Sequence, residues 1–582
     1  MKILKWIPLF CSILLYAQKD TVSQKDIEIK IDTLWYKNAH NSFNDNDDLT
    51  LLGHNPFEVS ILSNFGTPLI PFWWKSSNSS ELKIGDRLLD SKIKYPFYTS
   101  VFDQNFPHTK IFYAQTYSEG QRLNILHTRR YKYGSLSLDY DRLVSKGYLW
   151  HEKNKHTRFT FQGNFKHPKT PYRSEWRIHT FKNESEWDGG VSDDSLFLSG
   201  TQNYWELLPV NWVNLKTEIK HKGFDWRHSY AFSKKTNIEY EINLSQDSLF
   251  YEGLQDDTLF YPMRLDSATA FHRAFTNVNH SLKWKQQINE DKNATLGVKH
   301  QNFKQQDLGV NQWIIFTSLH SKFFKNTIYL AYGKDETNSH SLIANYKQQI
   351  NFLGIKNQFK IAYEKTLPNW MKQNNYYLNS EPYHNYTPEF ITPSIDQYVA
   401  WNMSLGKNLS LHHSYHNIDN YNYFNAEAVS ATSETTIQVF QSRLTHHLTA
   451  GKWHWRGDAA YQNSSSDTIP LANLLLNQKL YWQGMVFKEA TEAQIGVRAL
   501  YRSAHPGMTY TPILGDFYVD PLNQTNASLR CDLFANFQIQ TIKVYVAYEH
   551  FNSLWQGEQY ILKPYPMAKP TFRLSLIWNF YD

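Results

Sequence analysis

The chain has 582 residues, 16% of them Phe, Trp or Tyr, with 24 Gly and only 2 Cys, a composition opposite to that of disordered chains, which are poor in aromatics. Its formal charge of +6 comes from 60 basic and 54 acidic residues that alternate along nearly the whole length, whereas a nucleic-acid protein gathers its Lys and Arg on one face or helix. A mean hydropathy of −0.58, and the lack of apolar runs of roughly 20 residues beyond the N-terminus, exclude a helical transporter.

Lys2 and Lys5 precede an apolar stretch, 7–16, that ends at Ala17 before the polar Gln18-Lys19-Asp20. This pattern predicts a secretory signal peptide at 1–17. The stretch covers only about half of the roughly 20 residues a spanning helix needs. A lipoprotein reading of Cys11 fails because Phe10 stands before it, where a small residue is wanted. Loss of the leader leaves Cys531 with no internal disulfide partner and no cysteine-based metal site. Residues 18–108 carry an acidic, Asn-rich run (NSFNDNDDL), several prolines and SNFGTPLIPFWW, with no repeated strand pattern. They are expected to form a small N-terminal segment that is periplasmic, faces the lumen of a C-terminal barrel, or partly plugs it.

After about residue 109 apolar and polar residues alternate with period two, the pattern of strands with one greasy and one wet face. Phe159, Phe161 and Phe165 alternate with Arg158, Thr160, Gln162 and Asn164. Trp453, Trp455, Ala459 and Tyr461 oppose His454, Arg456, Asp458 and Gln462. Ile542, Val544, Val546 and Tyr548 oppose Lys543, Tyr545, Ala547 and Glu549, and Phe572, Leu574, Leu576, Trp578 and Phe580 oppose Arg573, Ser575 and Asn579. Such runs, about 9 to 12 residues long, exceed the usual soluble strand of about 5 to 6 and match the 9 to 11 that cross a bilayer.

Connections alternate in length as well. Short links are expected near Tyr131, at HPKTP from His167, at His221-Lys222, around Asn289, near Lys325, around Gly354, at Gly406-Lys407, at Ala450-Gly451, at Lys488-Glu489 and near Gln540. Between them lie longer polar stretches: 144–155, 182–207, 234–272, 302–311, 334–338, 366–396, 417–435, 463–473, 503–527 and 552–570. Short periplasmic turns alternating with long external loops, and an even strand number, are the habit of outer-membrane barrels. The pattern predicts an all-β, transmembrane antiparallel β-barrel over 109–582, with about 22 strands (range 18 to 22) and both ends periplasmic. Weak strands near Tyr240 and Gln478 set that range. Trp226, Trp284, Phe323, Phe324, Trp453 and Trp455 adjoin expected short turns, and Trp578 and Phe580 close the chain, as a girdle at one membrane interface requires.

The residues also resemble a known family, the putative porin family of Bacteroidetes-type Gram-negative bacteria. SNFGTPLIPFWW looks like that family's N-terminal Gly-Pro motif. The stretch 109–150 looks like its first barrel strands, and 531–552 with 565–582 looks like its ending; the loop NESEWDGGVSDDSLF is similar to loops in it. The resemblance implies an outer-membrane barrel acting as a pore and supplies no catalytic residues. An aromatic final strand also resembles the signal read by the outer-membrane insertion machinery, although Asp582 follows Phe580 and Tyr581 here.

The chain has no H-E-x-x-H, G-x-S-x-G, P-loop or dinucleotide fingerprint, so no enzyme activity, catalytic residue or cofactor is expected. His412-His413 and His446-His447 are adjacent on strands and face opposite sides, which makes them poor partners for one ion. The run 45–48 lacks the Gly and distal Glu of a calcium loop. Asp188, Asp193 and Asp194 around Gly189-Gly190 read as a solvated loop, and no metal is expected.

A barrel needs a polar lumen, because a charge facing lipid at the midplane costs roughly 2 to 4 kcal/mol for Arg or Lys. The candidate pore-lining residues are Arg158, Arg177, Lys216, Arg227, Arg456, Arg498 and Arg573, with Glu175, Asp225, Asp458 and Asp532. Seven basic against four acidic residues suits either an anion preference or a salt-bridged wall. The leading expectation is a porin-like channel in the cell outer membrane, passing small hydrophilic solutes or ions passively. Its partners are outer-membrane lipid, those solutes and the insertion machinery, with no nucleic acid. One alternative is a plugged receptor or substrate-specific uptake channel, since about 22 strands is the size of transporters with a filled lumen. The other is a secreted soluble β-protein that binds carbohydrate, which would need a second sheet to cover its apolar faces.

Overall fold

The computed structural model describes residues 57–76, 81–85, 107–115, 120–253, 270–305, 308–336, 338–373, 375–376, 385–386 and 392–581. The expected leader, the acidic run 45–48 and Asp582 lie outside them. Twenty-two antiparallel strands, from His108–Gln115 to Thr571–Tyr581, each pair with their neighbours in the chain. The last also pairs with the first, His108 opposite Tyr581 and Ile111 opposite Trp578, and the sheet closes into a barrel. Closure leaves no unpaired edge, which is the condition for strands to cross hydrocarbon.

Burial separates a barrel from a sandwich. In the four alternating stretches the polar row is the more covered one: Arg158, Thr160 and Gln162 are buried while Phe165 is exposed, and Ser575 is 0% exposed against 64% for Phe572. A two-layer sandwich would show the reverse, with the apolar rows covered. Leu282, Leu296, Ile315, Leu330, Leu342, Ile361 and Val399 are exposed on successive strands and form the band that meets lipid. The soluble carbohydrate-binding alternative falls with that observation.

Most short links fall where expected, and several turn through residues with positive φ: Lys325, Gly354, Gly406, Gly451, Lys488 and Gln540. Three expected connections differ. Leu215–Ala231 runs unbroken through His221-Lys222, and the turn comes after it, before the strand Thr236–Glu252. The expected long stretch 234–272 is therefore largely strand, with its connection between Glu252 and Ala270. The stretch 302–311 shrinks to a link between Gln305 and Leu308. The physical reason is length. Strands reach 18 residues in Ala270–Gln287, beyond the 9 to 11 a bilayer needs. Outside the bilayer both faces of a strand are wet, so the apolar alternation that marks it fades, as in KTEIKHK.

Candidate functional site: an occupied lumen

The described parts of the N-terminal segment, 57–76 and 81–85, lie inside the barrel. Val59–Ile61 and Leu69–Pro71 pair as a small hairpin. Its turn passes through Gly66 at φ +89°, where an added Cβ would also strike Asn154 and Leu143 of the wall; only Gly fits on both counts. Beside it, Asn64 Nδ2 donates to Glu152 O at 2.5 Å, and Asn64 Oδ1 accepts from Ser145 Oγ at 2.5 Å. Gln462 Nε2 donates to Phe72 O at 2.6 Å and Gln441 Nε2 to Trp74 O at 3.1 Å. Farther round, Gln301 exchanges two bonds with the backbone of Leu82 at 2.9 and 3.0 Å, Glu81 pairs with Lys299, and Trp370 N donates to Lys83 O at 2.7 Å. Ser145, Lys299, Gln301, Gln441 and Gln462 stand on widely separated strands of the ring, and Glu152 and Trp370 on its loops, so 57–76 and 81–85 cross the lumen.

Three phenylalanines of the segment each sit under a wall arginine: Phe57 under Arg443 at 4.5 Å, Phe65 under Arg573 at 5.1 Å and Phe72 under Arg502 at 3.8 Å. Arg443 also bonds Glu58 at 2.9 Å and Asp458 at 2.8 Å. Burial alone would raise the Glu58 pKa, but Lys75 and Arg443 hold it below the ordinary value. Above the segment, Phe57, Leu62, Ile70, Phe72 and Trp73 join Leu249, Tyr251, Phe275 and Phe303 of the wall and Trp370, Met371, Phe424, Tyr510 and Tyr565 of the loops in one apolar core. An apolar core displaces water from the part of the lumen it occupies. A cavity of about 350 Å³ remains between the segment and the loops, walled by Trp73, Trp74, Tyr421, Tyr423 and Asn369. The Nδ2 donor of Asn369 has no hydrogen-bond partner among the described residues.

The loops are held by buried polar contacts. His550 Nδ1 donates to Ala568 O, and burial pushes its pKa down from 6.5 to about 4. A depressed histidine contributes stability that is complete above pH 6.5 and is lost as pH falls through about 4, which amounts to about 3 kcal/mol here. Proteolysis of the 550–570 loop is expected to accelerate between pH 6.5 and 4, and His550→Gln is expected to flatten that dependence.

Of the sequence-derived candidates, most face inward and are paired. Arg158 contacts Asp139 at 3.2 Å and Asp141 at 3.4 Å. Arg177 Nε bonds Asp225 at 2.6 Å, and Arg227 reaches Glu175 at 3.2 Å and Glu241 at 3.4 Å. Arg573 pairs with Glu549 at 2.5 Å, Asp458 with Arg443, and Asp532 with Arg530 at 2.8 Å, while Arg498 Nε bonds Asn477 at 3.4 Å. Arg456 is half-buried, on the side of its strand that carries Asp458. Lys216 is the exception: it is exposed between buried Leu215 and Thr217, on the outer face of a strand that has already left the bilayer. Arg443 and Arg502 were not singled out from the sequence, since alternation gives an inward side but not the partner opposite. Among the described residues no group of three or more His, Cys, Asp or Glu gathers in a way that could hold a metal ion.

Solved structures with a similar fold include the FrpB iron transporter from Neisseria meningitidis (F3-3 variant), with TM-score 0.59, 10% identity and 82% of each chain covered. The siderophore receptor PirA from Acinetobacter baumannii gives TM-score 0.60 at 8% identity, covering 82% of this chain and 81% of that one. The ferric-catecholate import receptor Fiu from K12 E. coli, closed form, gives 0.58 at 11%, covering 82% of each. At such identity the likeness is one of fold. No curated protein matches the chain in sequence. The model of the family described as putative porin matches residues 15–582, and this span, with the closed barrel of 22 strands, makes the protein a transmembrane β-barrel transporter that belongs to that family.

Proposed function

We propose that the protein is a solute-specific uptake channel of the outer membrane, shut in this state by its own N-terminal segment. The observation that carries this reading is the passage of 57–76 and 81–85 across the lumen, bonded to strands on several sides. A passive pore needs an unobstructed wet path; here an apolar core stands in it. The inward charges, except Lys216, line the path that opens when the segment moves. Their pairing supports a stiff, nearly neutral wall over an anion-selective ring, because Asp139, Asp141, Glu241 and Glu549 offset the basic residues. The cavity beside Trp73 and Trp74 suits a small hydrophilic solute that stacks on aromatic rings and accepts a hydrogen bond from Asn369. Export by residues 1–17 and delivery to the outer-membrane insertion machinery through the aromatic final strand complete the proposal.

Planar-bilayer recording tests it. The intact, folded protein is expected to show no steady conductance. A stable open conductance from the intact chain would return the assignment to a passive porin.

A further inference from the structure

A groove of about 740 Å³ interrupts the lipid-facing band on the strands Asn326–Asp335, His340–Phe352, Ile355–Thr366, Ser394–Leu405 and Leu409–Asp419. Its floor is Ala344. Ile343, the preceding residue, is 3% exposed and faces inward, which puts Ala344 on the outer side with Leu342 and Tyr346. Across the sheet Ala344 stands directly opposite Leu330 on one strand and Tyr363 on the other, so one methyl group lies among four large side chains. The next row towards the short turns, Ile328, Tyr346, Ile361 and Val399, pairs in register and is exposed. Hydrocarbon fits against that row.

Towards the long loops the same face turns polar in two steps. Gln397 stands opposite Tyr363 on one side and Asn417 on the other. Both amides line the groove, and neither side chain has a hydrogen-bond partner among the described residues. Two residues beyond Tyr363, about 7 Å along the strand, Lys365 pairs in register with Leu342. Two residues beyond Leu342, His340 pairs with Lys334. Neither lysine has an ion-pair partner among the described residues. The acids of this rim, Glu336 and Asp419, accept hydrogen bonds from Asn311 Nδ2 at 2.6 Å and Thr436 Oγ1 at 2.5 Å, and Asp419 stands two strands, about 10 Å, from Lys365.

Apolar floor, then amides, then unpaired cations is the order of parts in a phosphorylated glycolipid: acyl chain, sugar, phosphate. The long loops mark the cationic end as external. We infer that this groove is a docking site for a phosphorylated, acylated glycolipid of the outer leaflet. An acyl chain lies over Ala344, sugar hydroxyls meet Gln397 and Asn417, and Lys334 and Lys365 hold a phosphate by charge-assisted hydrogen bonds. A phospholipid without sugar would leave both amides unused. A second copy of the chain, meeting this face about a two-fold axis, would bring the same lysines together. The inference rests on the outer-membrane placement proposed above and is independent of whether the lumen is shut.

Native mass spectrometry of the full-length protein in detergent, with purified lipid A as the probe and phosphatidylglycerol as competitor, tests it. Saturable retention of one lipid A per barrel is expected, about tenfold tighter than phosphatidylglycerol. Lys334→Gln with Lys365→Gln is expected to weaken lipid A about tenfold. Ala344→Trp, which fills the floor, is expected to do the same while heat-modifiable migration stays normal. Leu282→Trp, elsewhere on the band, is expected to leave retention intact. Unsaturable retention of both lipids alike, or lipid A binding unchanged in the lysine and Ala344 variants, overturns the inference. A protein dimer that Ala344→Trp abolishes overturns it in favour of a second copy. Lipid A retained by a protein that conducts steadily in bilayers supports the groove and removes only the closed-channel reading.

Discussion

Replacement of residues 57–85 by a short Gly-Ser linker is expected to turn a silent protein into a conducting one, with bilayer conductance rising at least tenfold. The segment supplies Phe57, Leu62, Ile70, Phe72, Trp73, Leu82 and Ile84 to the apolar core inside the barrel, the proposed barrier. The barrel's own ladder runs from His108 to Tyr581 and includes none of it. Because the strands close on one another without the segment, heat-modifiable migration in detergent is expected to survive the replacement. Retained silence in a folded variant would assign the barrier to the loops, whose Tyr510, Tyr565 and Trp370 share the same core.

Undocking by point substitution is the second large effect. Arg443, Arg502 and Arg573 each cover one phenylalanine of the segment, and a desolvated cation–π contact contributes about 1 to 2 kcal/mol. The sites are separate enough to add, so the triple Arg→Met variant is expected to shift docking by about 3 to 6 kcal/mol, or roughly 10²- to 10⁴-fold. Protease cleavage within 57–76 and channel open probability both read that shift. Triple Arg→Lys keeps the charge but loses the planar stack, and is expected to fall between wild type and Arg→Met. Unchanged protection of the segment in Arg→Met would refute the role of these arginines.

The barrel was legible in the sequence because its signals are local. Period-two alternation needs only one strand, and link length needs only two; neither depends on the residues across the lumen. Both weaken where strands leave the membrane. The turn expected at His221-Lys222 failed for that reason, and Lys216 was assigned inward although the sheet turns it out.

The filling of the barrel was decided by contacts that no local pattern encodes. Gln462 holds Phe72 across 390 residues of chain and Arg443 holds Glu58 across 385. A solvated-loop reading of Asp188 was reasonable for an acidic, Gly-rich stretch, yet folding of the loops onto one another buries it. Sequence alone determined an antiparallel barrel of about 22 strands, within a range of 18 to 22, and the wet side of the strands where they cross the membrane, since both follow from the alternation of side chains along a single extended strand. Only the tertiary structure decided that the wet side faces protein as well as water, because which residues meet across a closed ring depends on how the whole ring shuts.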